Sequence, residues 1–282
     1  MKQFVLPPED EHANEVRLTG RDYHYLCVVR RYRAGDSVPA LTRGGKRRRM
    51  IITEVGDGYC TARIEKPDGA NVGCSAESPD GEAMETPEAP WVGDQGSLRI
   101  TLCQATLKGK KLDQVVRQAT EAGVSRILPV VTDHCVSDPR GAGRSERKLE
   151  RWRTIAKEAV QQSGRGDIPE VAEPATLDSL IDLWSREPGN GSDTVGARRV
   201  GIFFHQGAAG SPSLHLLCHP WERPISEVAL LVGPEGGLSE SEVLKLQRLG
   251  WSSGFLGPRI LRSETAAIYA VAAVQTILRE VN

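Results

Sequence analysis

Two glycine-rich segments near the C-terminus have the composition of turns that hold a ligand against the main chain. The first spans 233–239 (GPEGGLS) and follows an apolar run at 228–232, and the second spans 256–265 (LGPRILRSET) and opens an alanine-rich stretch. Each pattern predicts a strand, a tight turn and a helix start, and glycine lets a ligand approach the backbone closely. Ligands of open α/β sheets bind at the carboxyl ends of strands, so the two turns predict one pocket lined largely by backbone.

Neither segment matches the common phosphate-binding motifs. A Walker loop requires Gly-Lys-Ser/Thr and a dinucleotide turn requires GxGxxG, and both are missing here. This argues against a phosphate as the main feature of the ligand. A purely structural explanation of the first motif stays open, because a sharp connection between a strand and a well-capped helix has the same composition.

Two arginines near the predicted pocket are candidates for stabilising negative charge. Arg262 lies between an apolar pair and Ser263, a residue suited to cap the last helix. An arginine in such a turn can hold a developing negative charge or a phosphate, although a lone arginine is also commonly a surface ion-pair partner. Arg165 follows Gly164, a candidate C-cap of a long helix, and is expected to reach toward substrate from there.

Cations cluster in two further places, a predicted hairpin tip and a predicted helix start. The hairpin group is Arg43, Lys46, Arg47, Arg48 and Arg49, and the helix group is Lys108, Lys110 and Lys111. Five cations on a hairpin tip make a good contact for nucleic-acid phosphates. A charged helix start is usually only solvated, but this one follows a strand end where RNA phosphates could be met.

Composition narrows the class of protein. The chain has 282 residues, a hydrophobic content of 39%, no apolar run long enough for a membrane span and no export signal at its N-terminus. Its six cysteines form no CxxC pair, which predicts a metal-free, cytoplasmic protein with reduced thiols. The net charge is −1, but 67–98 holds seven acids and no Lys or Arg, so the remainder carries +6. That balance is compatible with an RNA partner without requiring one.

The chain divides by pattern into three parts. Residues 1–66 predict a small β-rich domain with a hairpin of strands at 50–55 and 59–64 and a short helix at 23–29, where Leu26 and Val29 would face the core together. Residues 67–97 are rich in Gly, Pro, Ser and acids, which predicts a linker or a disordered loop. From residue 98 to 282, strands and helices alternate, which predicts a parallel sheet covered by helices.

The alternating part is predicted in the following elements. Strands are expected at 98–105, 127–132, 200–205, 228–232 and 253–256, helices at 110–123, 147–163, 177–184, 239–249 and 263–280, and a mobile stretch at 187–198. Apolar residues in the first two helices follow helical spacing. Ser239 and Glu242 have the spacing of a capping box, which fixes the start of the fourth helix.

The paired C-terminal motifs resemble those of the 16S ribosomal RNA uridine N3-methyltransferases of the SPOUT superfamily. The segments 151–165 (RWRTIAKEAVQQSGR) and 120–129 (TEAGVSRILP) are also similar to that family, so the match spans nearly the whole chain. Two departures stand out: Ala122 occupies the place of a usual leucine, and His134-Cys135 replaces a usual Arg-Ser pair. The second departure leaves open any RNA or catalytic role for that loop.

The resemblance implies an N-terminal β-barrel similar to PUA domains and a C-terminal SPOUT domain with a deep trefoil knot. It also implies a homodimer, and S-adenosylmethionine held by the loops after the strands that end near residues 205, 232 and 256. Carried over to this sequence, the residues expected to hold this cofactor are Phe204, His205, Leu231, Gly233, Glu235, Gly236, Gly237, Leu256, Gly257, Ile260, Leu261 and Arg262.

The implied activity is methylation of N3 of one uridine in the 16S ribosomal RNA of the small subunit. Arg262, with Arg165 as a second candidate, is expected to stabilise charge on the uracil oxygens. No general base can be identified from the residues. Three alternatives stay open: a methyltransferase of the same fold acting on another RNA such as tRNA, a non-catalytic RNA-binding assembly factor, and a nucleotide-dependent enzyme, which the missing phosphate motifs argue against.

Overall fold

The computed structural model describes most of the chain, in two compact units, Met1–Gln95 and Gly96–Asn282. The described residues are 3–7, 10, 13–42, 46–65, 98–141, 144–186, 198–205, 211–218 and 225–281. The predicted linker at 67–97, the predicted mobile stretch at 187–197 and Arg43 lie outside them. Arg198, placed in that stretch by the sequence, instead begins a strand.

The N-terminal unit is built on a five-stranded mixed sheet. Its strands are β1 (Phe4–Val5), β2 (Glu15–Thr19), β3 (Ser37–Leu41), β4 (Arg47–Val55) and β5 (Tyr59–Glu65), in the order β1-β3-β4-β5-β2. The predicted hairpin is confirmed as the antiparallel pair β4–β5. Alternate residues of β2 are buried, as a strand with one face on a core requires, and Leu18, Met50 and Ile52 are at most 2% exposed.

The short helix predicted at 23–29 is present but is wound differently. Helix α1 (Gly20–Tyr23) continues into a π-helical turn over His24–Val29, in which Arg30 N donates to Tyr25 O at 2.9 Å. Leu26 is fully buried, whereas Val29 is 58% exposed, so the expectation that both face the core was wrong. The wider i→i+5 turn is the reason, because residues three apart no longer overlie one another.

The C-terminal unit is an α/β domain with a parallel sheet, as predicted. Its strands are β6 (Arg99–Ala105), β7 (Arg126–Val131), β8 (Glu170–Val171), β9 (Ala175–Thr176), β10 (Arg198–Phe204), β11 (Ile225–Val232) and β12 (Ser252–Ser253). The order is β12-β10-β11-β6-β7-β8, with β9 also paired to β7. The strand predicted at 253–256 is reduced to β12 and one bridge between Ser213 and Phe255.

Six helices lie in the described part of this unit and cover the sheet. They are α2 (Lys111–Ala122), α3 (Arg144–Ser163), α4 (Leu177–Arg186), α5 (Leu214–Cys218), α6 (Glu240–Arg248) and α7 (Ser263–Val281). All were predicted except α5. The apolar stripes of α2 and α3 are buried, and Gly123 ends α2 with φ +94° as a left-handed C-cap. Among the described residues, no helix is long and apolar enough to cross a bilayer.

Two cores lie on opposite faces of the sheet, and β11 supplies both. Val228, Leu230 and Val232 pack in the core that includes α2, α3 and α7, while Ala229 and Leu231 pack in the core that includes α4 and Trp251. A strand buried on both faces reads in sequence as a continuous apolar run, which explains the pattern at 228–232.

The parallel topology gives the sheet two chemically different edges. Strands β6, β7 and β11 end at the carboxyl edge, where α2, α6 and α7 begin. Helices α2 and α3 return to the amino edge, since β8 resumes beside the start of β7, with Glu170 in register with Arg126. A residue in a strand-to-helix loop therefore lies at the carboxyl edge, and one in a helix-to-strand loop lies at the amino edge.

Candidate functional site

The first glycine turn is fixed by its own backbone and by the helix that it opens. Gly237 has φ +75° and its N–H donates to Pro234 O at 2.9 Å. Ser239 caps α6 in a capping box, because its hydroxyl accepts from Glu242 N while Glu242 Oε2 accepts from Ser239 N at 2.8 Å. This confirms the helix start predicted from the spacing of the two residues.

The second turn is more exposed than the first. Gly257 adopts φ +114°, a conformation that residues with a side chain rarely reach, and Ile260 is 79% exposed. Leu256 and Leu261 are half-buried against the core. The turn ends where Arg262 O accepts from Ala266 N in the first turn of α7.

A buried polar relay joins the two turns to the end of β6. Ser263 Oγ donates to Gly233 O at 2.6 Å and accepts from Gln104 Nε2 at 2.9 Å. Gln104 is fully buried, and within the described part of the chain its Oε1 has no hydrogen-bond partner. The relay thus joins Ser263 to Gly233, 30 positions earlier in the chain, and to Gln104, 159 positions earlier. It leaves one hydrogen-bond acceptor at the end of β6 unsatisfied.

A charged group lies beside this relay. Lys111 Nζ donates to Glu235 Oε1 at 2.7 Å and lies 3.8 Å from Glu264 Oε2, so it joins the starts of α2 and α7 to the first turn. The hydrogen bond to Glu235 raises the pKa of Lys111. Burial opposes ionisation of Glu235, but the hydrogen bond from Lys111 and the charges of Lys111 and Lys108 hold the pKa of Glu235 below its usual range. The carboxylate is therefore ionised at neutral pH.

The loop after β7 packs on the first turn. A Cβ at Gly236 would lie 3.0 Å from His134 Cβ, so the absence of a side chain permits the contact. His134 Nδ1 lies 3.1 Å from Gly236 O and 3.2 Å from Gly237 O. Cys135 turns inward instead, with Sγ 3.2 Å from Thr132 Oγ1. Of the residues that depart from the resemblance, His134 thus stands at the predicted pocket, whereas Ala122 ends α2 at the other edge.

The two candidate arginines lie at opposite edges of the sheet. Arg262 is exposed at the carboxyl edge, and among the described residues its side chain makes no hydrogen bond or ion pair. Arg165 is at the amino edge, where its side chain is 11% exposed, contacts both carboxylate oxygens of Asp167 and donates to Thr120 O at 3.0 Å. Arg165 is not free, contrary to the expectation that it reaches out from its C-cap.

The remaining cofactor candidates differ in what their side chains can offer. Phe204 is 6% exposed. Its ring packs against Gly254 so closely that a Cβ at that glycine would clash with it. His205 stacks on Phe203 with ring centroids 5.6 Å apart. Leu231 is fully buried in the core beside α4, so only its backbone can serve a ligand.

The predicted RNA contacts fall in both units. In the N-terminal unit, Lys46 is exposed beside β4, Arg47 and Arg48 lie in that strand, and exposed Arg49 donates to Ser37 Oγ at 2.8 Å. In the C-terminal unit, Lys108 and Lys110 are exposed at the carboxyl edge, whereas Lys111 is engaged by Glu235. No group of three or more His, Cys, Asp or Glu suited to a metal ion occurs in the part of the chain that the structure describes.

Sequence reasoning missed Gln104, and it assigned Ser263 only a capping role. Gln104 is a polar residue inside an otherwise apolar strand, which was a usable signal, because a buried amide needs hydrogen-bond partners. Its partner, however, lies 159 positions away, and no local pattern identifies that residue.

Comparison with known proteins agrees with this arrangement. The RNA methyltransferase domain family matches residues 94–275, and the RNA methyltransferase PUA domain matches 18–65. The ribosomal RNA small subunit methyltransferase E of Synechocystis sp. is 29% identical over 278 residues, covering 98% of this chain and 78% of that protein. The protein of the same name from Bacillus subtilis is 26% identical, covering 94% of this chain and 91% of its own length.

A solved structure matches nearly the full length of this chain. The ribosomal RNA small subunit methyltransferase E of Neisseria gonorrhoeae, bound to S-adenosyl methionine, superposes with a TM-score of 0.74 at 26% identity and covers 98% of each chain. The predicted PUA-like domain and the predicted methyltransferase domain are both confirmed. The chain belongs to the RNA methyltransferase domain family.

Proposed function

We propose that this protein transfers a methyl group from S-adenosylmethionine to N3 of one uridine in the 16S ribosomal RNA of the small ribosomal subunit. The observation that carries the proposal is the meeting of the two glycine turns at the carboxyl edge, through the 2.6 Å contact of Ser263 Oγ with Gly233 O, in a chain of this family. Relatives named as small-subunit methyltransferases support ribosomal RNA over tRNA. Because these relatives are named as methyltransferases, they also support an enzyme over a non-catalytic RNA-binding factor.

The residues at this edge fit S-adenosylmethionine. The turns at Gly233 and Gly257 offer backbone N–H and C=O groups, and buried Gln104 Oε1 is an acceptor that lacks a partner among the described residues. Glu235 is an ionised carboxylate of lowered pKa, which suits a ligand with a sulfonium and an ammonium group. When bound, this cofactor supplies a methyl group on a positively charged sulfur.

Arg262 is the group that we assign to the uracil. Loss of the N3 proton spreads negative charge over the two uracil oxygens, and a guanidinium without a competing carboxylate can stabilise that charge. Arg262 is exposed at the pocket and meets this condition. Arg165 does not, because Asp167 already neutralises it at the other edge.

The N-terminal unit and the carboxyl-edge lysines are assigned to the RNA backbone. Arg48, Arg49, Lys108 and Lys110 would each neutralise a phosphate and release counterions. Replacing Arg48 and Arg49 by glutamine should weaken binding of small-subunit RNA and reduce the slope of log K against log salt by roughly two, about one for each lost contact. An unchanged slope would remove these residues from the interface.

The quaternary state and the knot remain part of the proposal. The homodimer is implied by the resemblance, and Ala266, Ala267 and Ala270 on α7 are buried in the core of their own unit. Exposed Tyr269 on the same helix, at 54%, is a side chain that a second copy would cover. Light scattering should give the mass of two chains, and a cytoplasmic location is expected for an enzyme of ribosomal RNA.

The direct test uses small subunits that lack the modification. Purified protein is incubated with S-adenosylmethionine labelled in its methyl group and with these subunits, bare 16S RNA or total tRNA, and the label is then mapped by mass spectrometry of nucleosides. We expect N3-methyluridine at one position of 16S RNA. Label in tRNA would favour the other-RNA alternative, and cofactor binding without transfer to any RNA would contradict the proposal.

A further inference from the structure

His134 is an exposed imidazole at the carboxyl edge whose tautomer is fixed by its surroundings. Its Nδ1 lies 3.1 Å from Gly236 O and 3.2 Å from Gly237 O. A carbonyl oxygen only accepts hydrogen bonds, so Nδ1 must carry the proton that both oxygens share. In the neutral ring, Nε2 then keeps its lone pair and can accept a proton.

The position of the imidazole is fixed as well. The loop packs on the first turn because Gly236 has no side chain, and it is tied to α6 by two further contacts. Asp133 N donates to Glu242 Oε1 at 2.9 Å, and Ser239 Oγ donates to the Asp133 carboxylate at 2.6 Å. His134 is thus held on its Nδ1 side, while Nε2 has no hydrogen-bond partner among the described residues.

Five carboxylates of the described residues stand on the elements around His134. Asp138, on the same loop, pairs with Arg140, and Glu240 is exposed in the first turn of α6. The other three have partners of their own. Asp133, on the same loop, and Glu242, on α6, belong to the capping network, and Glu235, on the first turn, pairs with Lys111. Within the described part of the chain, no hydrogen bond or ion pair joins any of these carboxylates to the imidazole. A proton taken up by Nε2 is therefore not held by a fixed counter-ion and can leave to solvent.

The reaction at N3 of uridine needs such a group, because N3 carries a proton at neutral pH. We propose that His134 is the general base, a role that rests on the proposed function. Nε2 accepts the N3 proton while the bond from N3 to the methyl carbon forms and the bond from that carbon to sulfur breaks. The products are N3-methyluridine, S-adenosylhomocysteine and an imidazolium, which returns its proton to water.

The tautomer can be measured without any activity. Long-range proton–nitrogen correlation spectra of the ¹⁵N-labelled full chain at neutral pH distinguish a protonated from an unprotonated ring nitrogen. We expect His134 to show a protonated Nδ1 and an unprotonated Nε2. The opposite tautomer in the neutral ring would overturn the proposal, because Nε2 would then have no lone pair to offer.

The catalytic test is His134→Asn, with His215→Asn, at an exposed position of α5, as the matched control. The asparagine amide can still donate to the two carbonyls but has no basic nitrogen. Under single-turnover conditions at pH 7, H134N should lose about 10²- to 10⁴-fold in methyl-transfer rate, with the S-adenosylmethionine Kd unchanged. The wild-type rate should rise with pH and level off, and this inflection should be absent from H134N but present in H215N.

The outcomes separate this inference from the function on which it rests. A wild type that labels 16S RNA, together with an H134N variant of equal rate and equal pH profile, would overturn His134 as the base and leave the proposed function standing. Loss of cofactor binding in H134N would also overturn it, since His134 would then be a positioning residue of the turn. A wild type that binds no cofactor and labels no RNA overturns both.

Discussion

Each edge of the parallel sheet carries one of the two arginines that the sequence predicts to stabilise charge on the substrate. The two side chains have opposite surroundings. At the carboxyl edge, Arg262 is exposed beside glycine turns and, within the described residues, pairs with no carboxylate. At the amino edge, the side chain of Arg165 is 11% exposed. It forms a bidentate ion pair with Asp167 and donates a hydrogen bond to Thr120 O near the end of α2.

The difference shows what a guanidinium needs in order to act on a substrate. A bidentate pair with a carboxylate uses the donors in the geometry that would otherwise meet a uracil or a phosphate. Arg165 therefore ties the loop after α3 to α2, whereas Arg262 keeps its donors available. Helix direction decides which residue falls where, because a loop that opens a helix and a loop that closes one lie at opposite edges.

Among the variants that test this comparison of the two edges, the largest effect is expected at Arg262. Arg262→Ala should lower the rate of methyl transfer about 10²- to 10³-fold, because a donor to the developing negative charge is lost, with a smaller change in cofactor affinity. Arg259→Ala, in the same exposed turn, is the matched control and should stay within about threefold of the wild type. Equal rates for R262A and the wild type would break the contrast between the two edges.

The relay between the turns should have the next largest effect. Ser263→Ala removes the hydroxyl that joins Gly233 to Gln104 and leaves buried groups unpaired, at a cost of about 1–3 kcal/mol. We expect the Kd for S-adenosylmethionine to rise about tenfold or more by calorimetry. Ser263→Thr retains the hydroxyl and should bind nearly as the wild type does, so equal Kd values for S263A and the wild type would exclude the relay from the site.

Lys111 should show a smaller effect that depends on pH. Lys111 lowers the pKa of Glu235. The Glu235 carboxylate is therefore fully ionised above the usual glutamate range, and it loses its negative charge only when the pH falls through the lowered pKa. Lys111→Gln should therefore move the loss of cofactor affinity on acidification to a higher pH. Arg117→Gln, exposed on the same helix, is the control, and coincident affinity–pH curves for K111Q and R117Q would contradict the assignment.

The smallest effect on chemistry is expected at Arg165. Arg165→Ala should reduce the free energy of unfolding by about 1–2 kcal/mol, because the lost contacts are partly solvated. Asp167→Asn removes the same ion pair and should cause a loss of similar size in urea titrations. The methylation rate of both variants should remain near that of the wild type, and a rate loss in R165A that matches R262A would reverse the comparison.

Local signals explain the parts of the fold that could be predicted. The cap at Ser239 and Glu242 needs only residues three apart, and the buried stripes of α2 and α3 need only helical spacing. The position of Arg165 could also be predicted from the sequence, because a residue between a helix and the next strand must lie at the amino edge.

Other features depend on contacts that no local pattern specifies. The contact of Gln104 with Ser263 spans 159 positions, and that of His134 with Gly236 spans 102. The π-helical turn at His24–Val29 rotates Val29 outward although its composition suits an ordinary helix. The trefoil knot, implied by the resemblance alone, stays a prediction.

The proposed function requires that the turns at 233–239 and 256–262 together hold the methyl donor. The decisive measurement is a crystal structure of the full chain with S-adenosylmethionine. The donor should lie between the two turns, with its polar groups on their backbone and the Gln104–Ser263 relay directly behind. A donor bound elsewhere in an active protein, with both turns vacant, would contradict it.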